Sequence, residues 1–325
     1  MKIFLVLLFT SISFYFLVLL SIYIIHAHFF YKRFVPDGNI KFYNEKDFNC
    51  IRKDASFKIK NITLKGCFIT PNKEFDQSKI IIFCHGMCSS KESYMQVIST
   101  IANGGFEVFC FDYIGVNESE GNVMGGFAQG LRSVDYAIKY IHDLYKNKDI
   151  YVIGHSWGGF NALNSVRYNS YVKKVCAISP FISINDVILA ITPIIAKMLV
   201  INTEFVEGIR FGKYAYANSI STLKRFNGDV LIIHSEDDDT VIYDASSKRL
   251  FKKFSNIDRF KFLIVNGKKH QPQYTYESVN KLYNFYEKSH ELDGNDLINY
   301  MKTINFHELG EIDMDIMNQI ISFFK

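Results

Sequence analysis

The chain has 325 residues, of which 48% are hydrophobic and 22% are charged. This length fits one large domain or two ordinary ones, and the composition supports a packed core and excludes a disordered chain. The net charge of +4 at pH 7 is spread along the sequence. Because no block of basic residues or basic and aromatic interleaving is present, nucleic acid is not expected as a partner.

The N-terminus contains an uncharged, almost wholly apolar stretch from Ile3 to Ile25. As a helix it would be about 35 Å long, enough to cross a bilayer core of about 30 Å. A secretory signal peptide is the main alternative, but its apolar region is about 7–15 residues long and small residues follow it. A buried core helix is the third alternative, which the length and uniformity oppose. We therefore predict a membrane anchor over residues 1–30 that contacts the bilayer through residues 3–25.

Basic residues predict how this anchor is oriented. Lys32, Arg33, Lys41 and Lys46 follow the apolar stretch, whereas only Lys2 and the amino terminus precede it. The positive-inside rule then favours a catalytic domain that faces the cytoplasm. The six cysteines agree with a reducing compartment, because most lie in apolar, strand-like runs and none has the paired spacing of a zinc site. We interpret them as small apolar residues and expect no metal.

The rest of the chain alternates strand-like and helix-like segments. Residues 31–56 are polar and irregular and are interpreted as a tether, and the alternating stretch Phe57–Ile69 is typical of an antiparallel edge strand. Continuous apolar runs, typical of strands covered on both faces, follow at Lys79–Cys84, Phe106–Phe111, Ile150–Ile153, Lys174–Ser179, Val230–Ile233 and Phe260–Val265. Helix-like segments separate them. The pattern predicts an α/β domain over residues 57–325, with a mainly parallel sheet flanked by helices.

One interval interrupts this alternation. Between Pro180 and Asn227 the sequence contains no convincing strand, although it includes the apolar stretch Val187–Ile201. A structureless loop of that length is improbable in a compact domain. We therefore predict a helical cap over residues 181–227, inserted over the carboxyl edge of the sheet. Three roles for its apolar residues stay open: lining an acyl pocket, contacting the bilayer, or packing on the domain beneath.

The most informative stretch is Gly154-His155-Ser156-Trp157-Gly158-Gly159. An apolar strand precedes it and helix-compatible residues follow it, which matches the Gly-x-Ser-x-Gly nucleophile elbow. Ser156 would lie at the apex of the turn, beside helical N–H groups that favour negative charge. The alternative is an ordinary tight turn. The elbow predicts Ser156 as a nucleophile, provided that the chain also supplies a base, an acid and an oxyanion hole.

Backbone N–H groups for an oxyanion hole are available next to the elbow. The strand that ends at Cys84 runs into His85-Gly86-Met87, so the N–H groups of Met87 and Trp157 are the candidates. His85 itself is interpreted as a residue that packs this loop.

An acid and a base follow later in the chain. Asp237, Asp238 and Asp239 come directly after an apolar strand, where a carboxylate can orient an imidazole. A solvated acidic turn is the alternative, and a calcium loop lacks its alternating ligands. His270, in a flexible loop after the last strand, is the candidate base. The order serine, acid, histidine is that of α/β-hydrolase triads.

Five segments together resemble the α/β-hydrolase superfamily, especially bacterial-type serine hydrolases related to the serine aminopeptidase and monoacylglycerol lipase groups. They are Phe83–Lys91, Phe111–Gly121, Gly154–Gly159, His234–Val241 and Lys269-His270. The resemblance extends from about Asn61 to the C-terminus. In such families the acid lies three positions before a valine, which selects Asp238. The second segment departs from the family pattern, with Ile114 in place of the usual arginine and Asn117 in place of glycine, although asparagine tolerates a positive φ.

The resemblance implies a serine hydrolase that uses Ser156, His270 and Asp238, with an oxyanion hole at Met87 and Trp157 and without a metal or organic cofactor. A small-molecule or lipid ester or thioester with an apolar acyl group is the first substrate expectation, and a peptide or amide is the second. The alternative from another class is a non-catalytic, hydrolase-like domain that binds a lipid or a protein through the cap.

Overall fold

The computed structural model describes residues 2–325, whose strands form one eight-stranded sheet in the order β1-β2-β4-β3-β5-β6-β7-β8. β1 pairs with β2, and β2 with β4, in antiparallel fashion, and all other neighbours are parallel. The predicted mainly parallel sheet is confirmed. The strands are β1 (Cys50–Ile59), β2 (Ile62–Pro71), β3 (Lys79–Cys84), β4 (Glu107–Phe111), β5 (Asp149–His155), β6 (Val172–Ile178), β7 (Asp229–Ser235) and β8 (Phe260–Val265).

The N-terminal edge of the sheet differs from the single strand predicted over Phe57–Ile69. The chain reverses at Lys60, whose φ is 54°, and Ile59 pairs with Ile62 across the turn. The alternation is interrupted at this point, because Lys60 and Asn61 are consecutive polar residues and form a two-residue turn; the prediction of a single strand missed this signal. β1 begins at Cys50, inside the segment interpreted as a tether.

Helices cover both faces of the sheet. One core layer lies between the sheet and residues such as Leu131 and Ile138, and the other contains Ile98 and Ile320. This double cover explains why Ile80–Cys84 in the central strand are all buried. The helices are α1 (Lys2–Phe30), α2 (Met95–Asn103), α3 (Phe127–Leu144), α4 (Trp157–Ser165), α5 (Ile184–Ile191), α6 (Thr203–Phe211), α7 (Ser219–Leu223), α8 (Ser247–Phe254), α9 (Tyr276–Glu291), α10 (Gly294–Lys302), α11 (Phe306–Leu309) and α12 (Met314–Phe324).

The interval between β6 and β7 is helical. It contains α5, a 3-10 helix over Ile194–Leu199, α6 and the short α7. Because the interval begins where β6 ends, the cap starts at the same sheet edge as the turn that follows β5. We keep the name cap for residues 181–227.

Helix α1 has two different halves. It is long and apolar enough to cross a membrane, with a mean hydropathy of 2.7 over its best window, and large side chains such as Phe4 and Phe9 are exposed. In the second half, one residue in every four is buried, namely Val18, Ile22, His26 and Phe30. This spacing places the buried residues on one helix face. The end of α1 therefore packs against the protein along a narrow stripe.

Candidate active site

The turn between β5 and α4 holds Ser156 in an uncommon backbone conformation, with φ 58° and ψ −119°. Its flanking glycines are required by close backbone contacts. A Cβ on Gly154 would lie 2.2 Å from the carbonyl oxygen of Gly158, and a Cβ on Gly158 would lie 2.0 Å from that of Cys84. The turn can therefore form only where these positions lack a side chain. It lifts the Ser156 side chain away from its own strand and sets it before the first turn of α4.

The candidate base and acid are in direct contact. His270 Nδ1 lies 2.8 Å from Asp238 Oδ2, and the backbone N–H groups of Thr240 and Val241 donate to Asp238 Oδ1 at 2.9 and 2.8 Å. Burial alone would raise the pKa of Asp238, but His270 and hydrogen bonds from His234 and His270 hold it well below its usual range. The ionised carboxylate accepts from His270 Nδ1–H, which leaves Nε2 as the nitrogen available to take a proton.

The three consecutive aspartates have different partners. Asp238 alone among them contacts the His270 imidazole, whereas Asp237 accepts from the backbone N–H groups of Gly267 and Lys269 at 2.8 and 3.3 Å. Asp239 accepts from the hydroxyl of Tyr283 at 2.8 Å. Asp237 thus stabilises the loop that carries His270, and Asp239 connects the acidic turn to α9.

His155, the residue before Ser156, connects the elbow to the His270 loop. Its Nε2 lies 2.7 Å from the His270 carbonyl oxygen, and its Nδ1 lies 2.7 Å from the Tyr94 hydroxyl. Burial and the nearby His270 lower the pKa of His155 to about 3, so its ring is neutral at pH 7. Because a carbonyl only accepts, Nε2 must carry the proton and Nδ1 must accept from Tyr94. His155 fixes the loop backbone at the base itself.

A second buried histidine supports the acid from the opposite side. His234 Nε2 lies 3.0 Å from Asp238 Oδ2 and 2.9 Å from the Val241 carbonyl oxygen, and its Nδ1 lies 2.7 Å from Ser247 Oγ. The His234 ring is fully buried. Asp238 is therefore held by two imidazoles and two backbone N–H groups, which leaves its carboxylate a single orientation.

The loop after β3 is also held by a buried histidine, His85. His85 Nδ1 lies 2.8 Å from the Gly86 carbonyl oxygen, and His85 Nε2 accepts from the Tyr113 N–H at 3.3 Å. Burial lowers the pKa of His85 to about 4, so this ring is also neutral. In a trans peptide the C=O and the following N–H point in opposite directions, so His85 turns the Met87 N–H away from itself. Gly158 packs on the carbonyls of Cys84 and His85, which brings the start of α4 against this loop.

The segment with the two family departures is well packed. Asn117 has a φ of 45°, and its side-chain amide donates to Asp112 Oδ2 at 3.0 Å. The same carboxylate oxygen accepts from buried Lys91 at 2.7 Å. Ile114 belongs to the core, and Arg33, which follows α1, donates to the carbonyls of Asn117 and Gly121. Asparagine therefore accommodates the turn, and residues after the anchor pack on it.

An apolar cavity of about 380 Å³ lies next to the loop after β3 and the loop that carries His270. Cys88 and Ser89 line it beside the candidate oxyanion loop, and Gln271 lines it beside His270. Seven aromatic residues also line it: Phe34, Phe42, Tyr94, Tyr274, Phe285, Tyr286 and Phe306. A hollow of about 610 Å³ between residues 166–173 and 221–228 lies where β6 and β7 begin, so it is at the opposite edge of the sheet from Ser156.

The structure brings the sequence-predicted residues to one sheet edge, because β3, β5, β7 and β8 run parallel and each ends beside one of them. His155 links the turn of Ser156 to the loop of His270. Sequence reasoning did not identify His155, His234 or Tyr94. His155 and His234 each lie at the carboxyl end of a buried strand, and that position was the only available signal.

Comparison with known proteins gives a family and a set of structural neighbours. A family profile described as alpha/beta hydrolase fold matches residues 79–311. A search of curated proteins gives no match. An esterase from Pyrococcus furiosus is similar in structure with a TM-score of 0.56 and 19% identity, over 79% of this chain and 94% of that one.

Two further solved structures are similar at comparable levels. Est1E from Butyrivibrio proteoclasticus has a TM-score of 0.54 and 18% identity, over 72% of this chain and 98% of that one. A putative dipeptidyl aminopeptidase IV from Bacteroides ovatus has a TM-score of 0.52 and 16% identity, over 74% of this chain and 36% of that one. These likenesses concern the fold.

Proposed function

This chain belongs to the alpha/beta hydrolase fold family, and we propose that it is a membrane-anchored serine hydrolase that cleaves an ester or thioester by acyl transfer. The observation that carries the proposal is the contact of His270 with Asp238 at the sheet edge where the elbow presents Ser156. A non-catalytic binding domain has no need of a buried, ionised carboxylate aligned on a histidine beside a strained serine.

In the proposed reaction Ser156 Oγ attacks the carbonyl carbon of the substrate while His270 Nε2 takes the hydroxyl proton. Asp238 stabilises the resulting imidazolium, and the N–H groups of Met87 and Trp157 bind the developing oxyanion. His270 then returns the proton to the leaving group, which leaves an acyl-enzyme. A water molecule, activated by the same imidazole, hydrolyses this intermediate and restores Ser156.

One cavity supports an apolar acyl group as the part of the substrate that is recognised. The 380 Å³ cavity beside the candidate oxyanion loop and His270 is within the usual size range of ligand pockets, and seven aromatic residues are part of its wall. We assign the acyl group to this cavity. The cap does not supply its lining, because the residues around it come from other segments, among them residues 34–42 and α9.

We propose that α1 is retained as an anchor. Removal of a signal sequence near residue 30 would take away His26 and Phe30, which are both buried against the domain. His26 also bonds Glu207 of the cap at 2.8 Å. Intact-mass measurement of protein from its native host tests this, because cleavage would give a mature N-terminus near residue 30. The cytoplasmic orientation stays a prediction from the basic residues after α1.

The enzyme proposal is tested with a fluorophosphonate probe on the full-length protein in detergent micelles. We expect the wild type and a control variant, Ser170→Ala at an exposed surface serine, to be labelled. Ser156→Ala should not be labelled. Absence of labelling in the wild type, or equal labelling after Ser156→Ala, contradicts the proposal and favours the binding-domain alternative.

The substrate class is tested by hydrolysis rates on p-nitrophenyl esters of increasing chain length, beside a thioester and an aminopeptidase substrate. We expect kcat/KM to rise with acyl length until the cavity is filled. Preferential cleavage of the aminopeptidase substrate would instead establish the peptidase or amidase alternative.

A further inference from the structure

The cap carries large apolar side chains that no other part of the described chain covers. Ile194 and Ile195, at the start of the 3-10 helix, are 82% and 94% exposed, and Ile209 on α6 is 74% exposed. We define the cap apolar face as Ile191, Ile194, Ile195, Ile201, Phe205 and Ile209, all of which are exposed. All six lie within residues 191–209, and exposed apolar residues gathered in one short segment are typical of an interaction site.

The cap apolar face is continuous with the lipid-exposed helix α1. Val18 and Ile22 of α1 pack with Val206 of α6 in a small apolar cluster of their own. His26 then bonds Glu207, and Arg210 stacks on the ring of Tyr31, 4.6 Å from its centroid. Residue numbers increase in the same direction along the two helices. The start of α6 therefore lies on the side of α1's N-terminus, and the end of α6 lies beside the C-terminal end of α1.

The depth of the cap follows from the helix rise. The uncharged stretch ends at Ile25, and Val18 lies seven residues earlier, which is about 10 Å along the axis. Val206 contacts α1 at this level, and the preceding 3-10 helix also contacts α1. If α1 spans the bilayer over residues 3–25, these segments are immersed by about 5–10 Å, the depth of interfacial membrane helices.

The positions of the charged residues agree with immersion of the cap in the bilayer. Basic residues lie where α1 leaves the apolar region: Lys32 in the chain that follows it, and Arg210 near the end of α6, which stacks on Tyr31. Cations at this level suit anionic lipid headgroups. Within the face, Lys197 has a long stem that can extend to the interface, and Glu204 accepts from the N–H of Asn185 at 3.1 Å.

We propose that the cap apolar face is a second membrane-contact surface, immersed in the same leaflet that α1 enters. The proposal rests on the proposed anchor α1, and its consequence for catalysis rests on the proposed hydrolase activity. Because the cap begins at the sheet edge that carries Ser156, the site is held at the bilayer surface, and long-chain esters reach it from the lipid phase.

The immersion is tested with full-length protein in vesicles of phosphatidylcholine and phosphatidylglycerol whose acyl chains carry bromine, a quencher of tryptophan fluorescence. The native Trp157 is buried and gives a constant background. We compare Ile195→Trp with the matched control Ile257→Trp, which is 36% exposed and precedes β8 at the opposite sheet edge. We expect at least threefold stronger quenching for Ile195→Trp. Equal quenching overturns the proposal, and a blue-shifted but unquenched signal from the tryptophan introduced in the cap identifies a second copy of the chain as the occupant.

The consequence for catalysis is tested with the double variant Ile194→Glu and Ile195→Glu. We expect at least a tenfold loss of activity on a long-chain ester dispersed in vesicles and less than a twofold change on soluble p-nitrophenyl acetate, with Ile257→Glu unchanged on both. Equal losses on both esters, or none, contradict delivery from the lipid. If the wild type hydrolyses neither ester, the proposed function fails, whereas the quenching result still decides the membrane contact.

Discussion

The sheet edge that carries Ser156 and the cap depart from the usual burial of side chains in opposite ways. At this sheet edge, polar groups are buried: His85, His155 and His234 lie inside the protein, and each has partners on both ring nitrogens. In the cap, apolar groups such as Ile195 are exposed. Buried polar groups and exposed apolar patches are the informative departures from ordinary protein architecture. The buried histidines hold the candidate catalytic residues in position. The exposed apolar residues of the cap leave a surface that a partner can contact.

The largest effect is expected at the acid. Asp238→Asn should lower kcat by about 10⁴-fold, because the amide favours the wrong tautomer of His270. Asp237→Asn should lower it about tenfold, the equivalent of one hydrogen bond to the loop that carries the base. Rates on a soluble ester measure both, with Asp244→Asn on the exposed Asp244–Lys248 pair as control. A loss at Asp237 as large as that at Asp238 would mean that the acid is wrongly assigned.

Glu207 connects the cap to the start of α3 and to α1, and its loss should lower the stability of the protein the most. Its carboxylate accepts from the N–H groups of Phe127 and Ala128 at 2.8 and 2.7 Å and contacts His26. Glu207→Ala leaves these groups unpaired in a buried site, so we expect the free energy of unfolding to fall by about 3 kcal/mol. Thermal unfolding in micelles measures it against exposed Glu287→Ala. Equal midpoints would show that this junction does not hold the cap to the anchor.

His155 should act on catalysis without touching the substrate. His155→Leu removes the donor to the His270 carbonyl, and we expect kcat to fall by about 10- to 100-fold, from about 1–3 kcal/mol for an unpaired buried acceptor. KM should change less than twofold. His155→Gln, whose amide reaches the Nε2 position, should restore part of kcat, and Tyr94→Phe should have the smaller effect. A change confined to KM would assign His155 to substrate binding instead.

The buried histidines also predict a pH dependence of stability. The pKa values of His155 and His85 are lowered to about 3 and about 4, whereas both would be near 6.5 in the unfolded chain. The free energy of unfolding is therefore highest above pH 6.5 and falls as the pH drops towards 4. The decrease is about 1.4 kcal/mol per pH unit for each proton that the chain takes up on unfolding. Unfolding midpoints between pH 7 and pH 4 measure this slope. His155→Gln should reduce it by one proton, and an unchanged slope would contradict the neutral ring.

The sequence predicted those parts of the molecule that are determined by short local patterns, namely the buried strands and the turn at Ser156. The apolar runs predicted six parallel-sheet strands, and the Gly-x-Ser-x-Gly pattern predicted the turn, because Gly154 and Gly158 are dictated by local backbone contacts. The reversal at Lys60 was missed, although the polar pair Lys60-Asn61 interrupts the alternation there and is a local signal for a two-residue turn. Contacts between distant segments, such as His155 with His270 and His26 with Glu207, leave no local pattern and required the fold.

The backbone of Ser156 has a consequence for the abundance of the protein in the cell. A non-glycine residue at φ 58° and ψ −119° costs about 1–3 kcal/mol of folding stability. Ser156→Gly, which relieves this strain, should therefore melt at a higher temperature than either the wild type or Ser156→Ala, although it lacks the nucleophile. Because marginal stability sets how fast a protein is degraded in cells, the inactive glycine variant should accumulate to a higher level than the wild type. Selection for the reaction would then maintain a less durable protein than the fold permits.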